Sequence, residues 1–198
     1  LPPTTGRSVN SGGWVTHTLA FNGYCFGAGE AWLSAANREF NAERLDALLA
    51  RLVTLLEAVI IERSGTQYEP VGASAAMLIG QSAFAHLAES HVAIHTYPDR
   101  FESASLSVLR VECEVSSCGG VHPNVCLPEL LNVIRPELVT IDRRTRGLVA
   151  SGTSLHPARA PKPGLPPVGF VAHDQAGSLQ ILTREGLSEP HATTVRTI

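Results

Sequence analysis

No apolar run in the 198 residues approaches the roughly 20 that a bilayer-crossing helix needs. The opening Leu1-Pro2-Pro3-Thr4-Thr5-Gly6 shows neither an initiator methionine nor a secretory signal pattern, so no membrane partner is expected. Positive charge is not in excess either. Fifteen Lys and Arg against eighteen Asp and Glu leave a formal net charge of −3, which offers no footprint for nucleic acid or an anionic surface. Cys25, Cys113, Cys118 and Cys126 are few and irregularly spaced. They read as free thiols in a reducing compartment, with the cytoplasm as the expected location, and not as a disulfide framework. Three motifs are also missing: a Gly-rich phosphate loop, the Gly-x-Ser-x-Gly elbow of a serine hydrolase, and the closely spaced ligand pairs of a zinc module.

What is present describes a protein with a core. Hydrophobic residues make up 44% and charged residues 17%, ordinary values for a chain long enough to bury one core. Residues 14–21 alternate as a first strand, on which His17 reads as a packed or surface residue. Asn41 is a good N-cap for a helix whose Leu45, Leu48, Leu49, Leu52, Leu55, Leu56, Val59 and Ile60 recur at three- and four-residue intervals. Ser64-Gly65 is the expected end of that helix. A buried strand is expected over 75–79, and a strongly alternating one over 105–115. His122-Pro123-Asn124 then opens a second helix with Leu127, Leu130, Leu131 and Ile134 on one face, closed by Arg135-Pro136. Residues 138–141 read as a further strand. The proline-rich stretch 154–169 reads as a linker, 168–172 with 178–183 as a small hairpin, and 184–198 as disordered.

The stretch around which the rest is organised is Ala88-Glu89-Ser90-His91-Val92-Ala93-Ile94-His95-Thr96-Tyr97-Pro98. Its period-two alternation is that of a strand carrying His91, Ala93, His95 and Tyr97 on one face, with Ser90 at its entrance. A core strand has little use for two histidines on one face, so the pattern marks a site.

This string closely resembles the processing site of the bacterial S-adenosylmethionine decarboxylase family, whose members read roughly AESHxxIHTWPE. The order of elements over 15–147 is similar to that family, which implies an α+β fold: a two-layer sandwich with an antiparallel sheet covered on one face by helices. Residues 1–14 are then a flexible arm and 148–198 a Pro-rich linker and tail of unknown role. The resemblance implies that the Glu89–Ser90 bond is cut by the protein itself and that Ser90 becomes a pyruvoyl group. That ketone is the electron sink an amino-acid decarboxylase otherwise takes from pyridoxal phosphate.

By the same resemblance His95 assists the elimination, Ser74 supports processing, and Cys118 reprotonates the substrate carbon. Tyr68 and Tyr97 stack on adenine, and Asp99 replaces a common glutamate. The implied partners are a small-molecule substrate and a second processed protomer. Relative to the family, about eight additional residues lie around 79–86 and a similar number between Pro98 and Cys118. Each set is worth about 26 Å of extended chain, which suggests a lengthened pair of strands or neighbouring loops.

Other readings stay open at this level. Cys113 rivals Cys118 as the proton donor. His91, His95, Cys113 and Cys118 are residue types that suit zinc. The substrate could be ornithine or arginine, or the chain could be an unprocessed homologue that binds without catalysis.

Overall fold

A computed structural model describes residues 15–67, 80–160 and 162–186. Strand β1 (Val15–Gly27) leads into helices α1 (Gly29–Glu39) and α2 (Ala42–Leu55). Then come β2 (Ile60–Gln67), β3 (Gln81–Leu87), β4 (Ser90–Phe101), β5 (Leu106–Ser117) and α3 (Leu127–Ile134). The chain continues through β6 (Leu138–Ser151), β7 (Ser154–Pro157), β8 (Phe170–Ala176) and β9 (Leu179–Arg184). Among the described residues the sheet runs β2-β3-β4-β5-β1-β6-β9-β8, with β7 paired to the distal part of β6. Every pairing is antiparallel.

Period-two alternation sorts the two faces of this sheet. Leu19 and Phe21 of β1, Val92 and Ile94 of β4, and Val111, Cys113 and Val115 of β5 are fully buried. They share one core with Leu45, Leu48, Leu49 and Leu52 of α2 and with Leu130 and Ile134 of α3. Each such side chain stabilises the fold by about 1.5–3 kcal/mol over its exposed state. The opposite face presents His91, Ala93, His95 and Tyr97 of β4 and Arg110, Glu112 and Glu114 of β5, all at least partly exposed. Among the described residues, helices therefore cover one face only, as the expected two-layer α+β sandwich requires.

Helix α2 begins where its cap predicts, with Asn41 Oδ1 accepting the Arg44 N–H at 2.9 Å. It ends at Leu55 and not at Ser64-Gly65, because Glu57 adopts a left-handed φ of 52° and Ile60 and Ile61 continue as the edge strand β2. Val59 and Ile60 happen to extend the helical spacing, but β-branched residues fit a strand. Helix α1 was not expected, since Leu33 is its only buried residue and gives no period to read. The strand expected over 75–79 lies outside the described residues. Of the additional residues expected around 79–86, those from 81 onward fall in β3.

The second set of additional residues extends β4 and β5 together, in register out to Phe101 opposite Leu106. At the other edge, β6 passes residue 147 without interruption, and β9 pairs with it from Leu138 to Asp142. The hairpin of β8 and β9 thus continues the sheet, anchored by buried Phe170 and Leu182.

Candidate active site

Ala88 and Glu89 alone connect β3 to β4, so the Glu89–Ser90 bond sits at the tip of a tight hairpin. Two-residue hairpin turns favour Gly or Asn because they take up positive φ. Neither residue is present, and the positive φ falls on Ser90 at 150°. Holding a non-glycine residue there costs on the order of 1–3 kcal/mol.

Across the ladder, Ser90 pairs with Ser117, the last residue of β5. Cys118 follows directly and addresses the Glu89 carbonyl twice. Its backbone N–H donates to that oxygen at 3.0 Å and its thiol donates at 3.1 Å. The turn also comes close to Glu89 at Gly119. A Cβ on it would lie 3.0 Å from Glu89 Oε2, while its N–H donates to Ser117 Oγ at 3.0 Å.

The Ser90 hydroxyl has its own partner. Oγ lies 3.5 Å from His91 Nδ1, and His91 Nε2 lies 3.2 Å from Glu114 Oε1 on β5. With Nε2–H donating to the carboxylate, Nδ1 is left as the acceptor facing the hydroxyl. Carboxylate, imidazole and hydroxyl in line is the arrangement that activates a serine oxygen. Sequence reasoning placed His91 on the site face and among residues suited to zinc but gave it no part in processing, and it missed Glu114. The available signal was strand parity: with Cys113 facing the helices, Glu112 and Glu114 must face the same side as the histidines.

The structure brings Glu89, Ser90 and Cys118 together but separates them from three other expected residues. His95 is five positions further along β4, about 16 Å of extended strand from Ser90. It pairs with Glu112 on one side and with the buried Ser82 of β3 on the other. Ser82 is a hydroxyl that sequence reasoning passed over. Tyr97 is about 23 Å along the strand, with the Arg110 guanidinium over one ring face at 4.1 Å from the centroid. Asp99, exposed and opposite Val108, is about 30 Å away. Tyr68 and Ser74 lie outside the described residues.

Cys113 is fully buried and faces the helices, where burial pushes its thiol well above the ordinary range. Since His91 and His95 point to the other face, the four residue types suited to zinc do not converge. No group of three or more potential ligands occurs among the described residues.

Comparison with known proteins adds a consistent description. A family profile described as S-adenosylmethionine decarboxylase matches residues 28–147. The S-adenosylmethionine decarboxylase proenzyme of Hahella chejuensis is 32% identical over 158 residues, covering 67% of this chain and 60% of that protein. The proenzyme of Alkaliphilus oremlandii is 32% identical over 162 residues with the same two coverages. The crystal structure of the adenosylmethionine decarboxylase from Aquifex aeolicus superposes with a TM-score of 0.47 at 20% identity, covering 71% of this chain and 97% of that one. The chain thus spans about 60% of the length of the curated relatives it matches.

Proposed function

The chain belongs to the S-adenosylmethionine decarboxylase family, and on that premise we propose that it is a self-cleaving, pyruvoyl-dependent carboxy-lyase acting on S-adenosylmethionine. Its product would be the aminopropyl donor for spermidine synthesis. One observation carries this reading: the carbonyl of the Glu89–Ser90 bond receives two hydrogen bonds from Cys118 beside a serine held at an unfavourable φ.

These contacts suit cleavage of that bond. Ser90 Oγ attacks the Glu89 carbonyl carbon as His91 Nδ1 takes the hydroxyl proton and Glu114 steadies the resulting imidazolium. Negative charge developing on the Glu89 oxygen meets the Cys118 N–H and thiol, donors already in place for it. His91 returns the proton to the Ser90 nitrogen as the C–N bond breaks, leaving Glu89 esterified to the Ser90 side chain. Loss of the Ser90 α-proton breaks the Cβ–Oγ bond, frees Glu89 as a carboxylate and leaves dehydroalanine. Water hydrolyses the dehydroalanine, ammonia departs, and residue 90 is a pyruvoyl ketone. That ketone supplies the electron sink when a substrate loses CO₂. The Cys118 thiol, which reaches the Glu89 carbonyl at 3.1 Å, holds a proton for the substrate carbon in this reading. Cys113, buried on the helix side, has no such access.

His95 and Ser82 are too distant to serve the Ser90 of their own chain. Both lie with Tyr97 on the sheet face that no helix among the described residues covers, which supports a homodimer in which they serve the Ser90 of a second copy. Co-expressing Ser90→Ala with His95→Ala chains tests this. Mixed dimers are expected to recover cleavage of the His95→Ala chain, whose Ser90 then faces an intact His95. No recovery, with the mixed dimer shown to form, would remove His95 from the second copy's site.

The choice of substrate is decided by CO₂ release from carboxyl-labelled S-adenosylmethionine, ornithine and arginine. S-adenosylmethionine is expected to be preferred by about fivefold or more. Each ring stacked on adenine contributes about 0.5–1.5 kcal/mol, so two rings suffice for that preference. A preference for ornithine or arginine would overturn the substrate assignment and leave the cleavage chemistry standing.

A further inference from the structure

The turn that carries Cys118 is braced on the side away from Ser90. Ser117 pairs with Ser90 of β4 on one side and with His17 of β1 on the other, so the three form one row across the sheet. The ring of His17 meets that of His122, with centroids 4.6 Å apart and planes inclined by 41°. His122 closes the turn that Cys118 opens. Its Nδ1 accepts the Asn124 N–H at 3.2 Å and so caps the short 3-10 turn Pro123–Cys126. The neutral ring therefore keeps its proton on Nε2, and that atom is buried with no hydrogen-bond partner among the described residues. His17 Nδ1 lies 3.1 Å from Thr145 Oγ1 of β6.

The charged neighbours favour the neutral rings. From β6 comes Arg143, buried, donating through Nε to Asn124 Oδ1 at 3.1 Å and through Nη1 to Gln180 Oε1 of β9 at 2.7 Å. From β5 comes the uncharged Ser117. Glu89 faces the Gly119 part of the turn. Among the described residues no carboxylate is paired with either imidazole.

We propose that the His17–His122 contact is a positioning device for self-cleavage. With both rings neutral it holds the Cys118–His122 turn so that the Cys118 N–H and thiol reach the Glu89 carbonyl, and protonation of either ring releases the turn and slows cleavage. The proposal rests on the reading that Glu89–Ser90 is the bond cut. A protonated His122 turns Nδ1 into a donor and loses the Asn124 cap. A positive His122 also meets the Arg143 guanidinium as a like charge. Burial lowers the pKa of both imidazoles, and for His122 proximity to His17 and Arg143 lowers it further. As pH falls, the unfolded chain therefore binds protons first. The stability of the neutral pair is complete above the usual histidine value near 6.5 and is lost as pH drops from there through the lowered folded values.

Freshly translated precursor, chased between pH 5.5 and 8.5, tests the proposal. Wild-type cleavage is expected to fall more steeply on the acid side than that of His122→Asn, because in the wild type the pair must be neutral. His122→Asn, whose Oδ1 can still accept the Asn124 N–H, removes one titrating ring of the pair and should lose that extra steepness. It should also cleave faster than His122→Ala. Superimposable acid slopes for wild type and His122→Asn would overturn the proposal. A second readout needs no cleavage. In Ser90→Ala, the Cys118 amide resonance should follow the His17 and His122 titrations, and an amide that stays put while both rings titrate overturns the proposal. If wild type cleaves at no pH, the reading of the bond fails, and the resonance still decides the positioning.

Discussion

Ser90→Ala is expected to remain one polypeptide under conditions in which the wild-type chain separates into residues 1–89 and 90–198. The substitution removes the oxygen that attacks, so no arrangement of His91, Glu114 or Cys118 can compensate, and decarboxylation should be lost with it. Intact-mass analysis reads the outcome directly, and the second wild-type fragment should be blocked to Edman degradation by its ketone. Ser90→Gly should also stay uncleaved but melt several degrees above Ser90→Ala. Glycine accepts the φ of 150° seen at Ser90, which relieves roughly 1–3 kcal/mol for a domain in which 1 kcal/mol moves the melting temperature by about 2–8 °C. A wild-type chain that stays full length through long incubation would instead favour a homologue that binds without catalysis.

Cys118→Ala is expected to slow cleavage by about 100-fold without abolishing it. One of two donors to the Glu89 oxygen is removed while the backbone N–H remains, and losing one such donor costs about 10²–10³ in rate. Chains that do cleave should turn over slowly and inactivate as they work. A missing acid leaves the substrate carbon to be protonated at the wrong place, and the amine is then passed to the ketone. Cys113→Ala should cleave and turn over nearly as wild type once folded. Its cost should appear in denaturant unfolding, since Cys113 is fully buried in the core. Progress curves that show inactivation in Cys113→Ala and not in Cys118→Ala would reverse the two assignments.

The helices of the core were legible where one face carried a long apolar period, as in α2, and illegible where it did not, as in α1. Val59, Ile60 and Ile61 show the opposite error: an apolar spacing that fits a helix was spent on an edge strand once Glu57 turned left-handed. The stretch 81–87 was unreadable for a different reason. Its value lies in pairing with β4, and pairing partners are not written in local alternation.

The sequence by itself determined the chemical content of the hairpin tip. Glu89-Ser90-His91 are consecutive, and strand periodicity alone places His91 and His95 on one face. Only the tertiary structure decided what each of them touches. Cys118, 29 residues from Glu89 in sequence, reaches its carbonyl because β4 and β5 pair in a register that sets Ser90 opposite Ser117. Glu114 meets His91 through that same register, and β1 brings His17 to the other flank of Ser117. His95 is kept about 16 Å from Ser90 because an extended backbone cannot fold back on itself within five residues. Alternation is a property of one strand, whereas a site built across three strands depends on ladder registers that long-range packing selects.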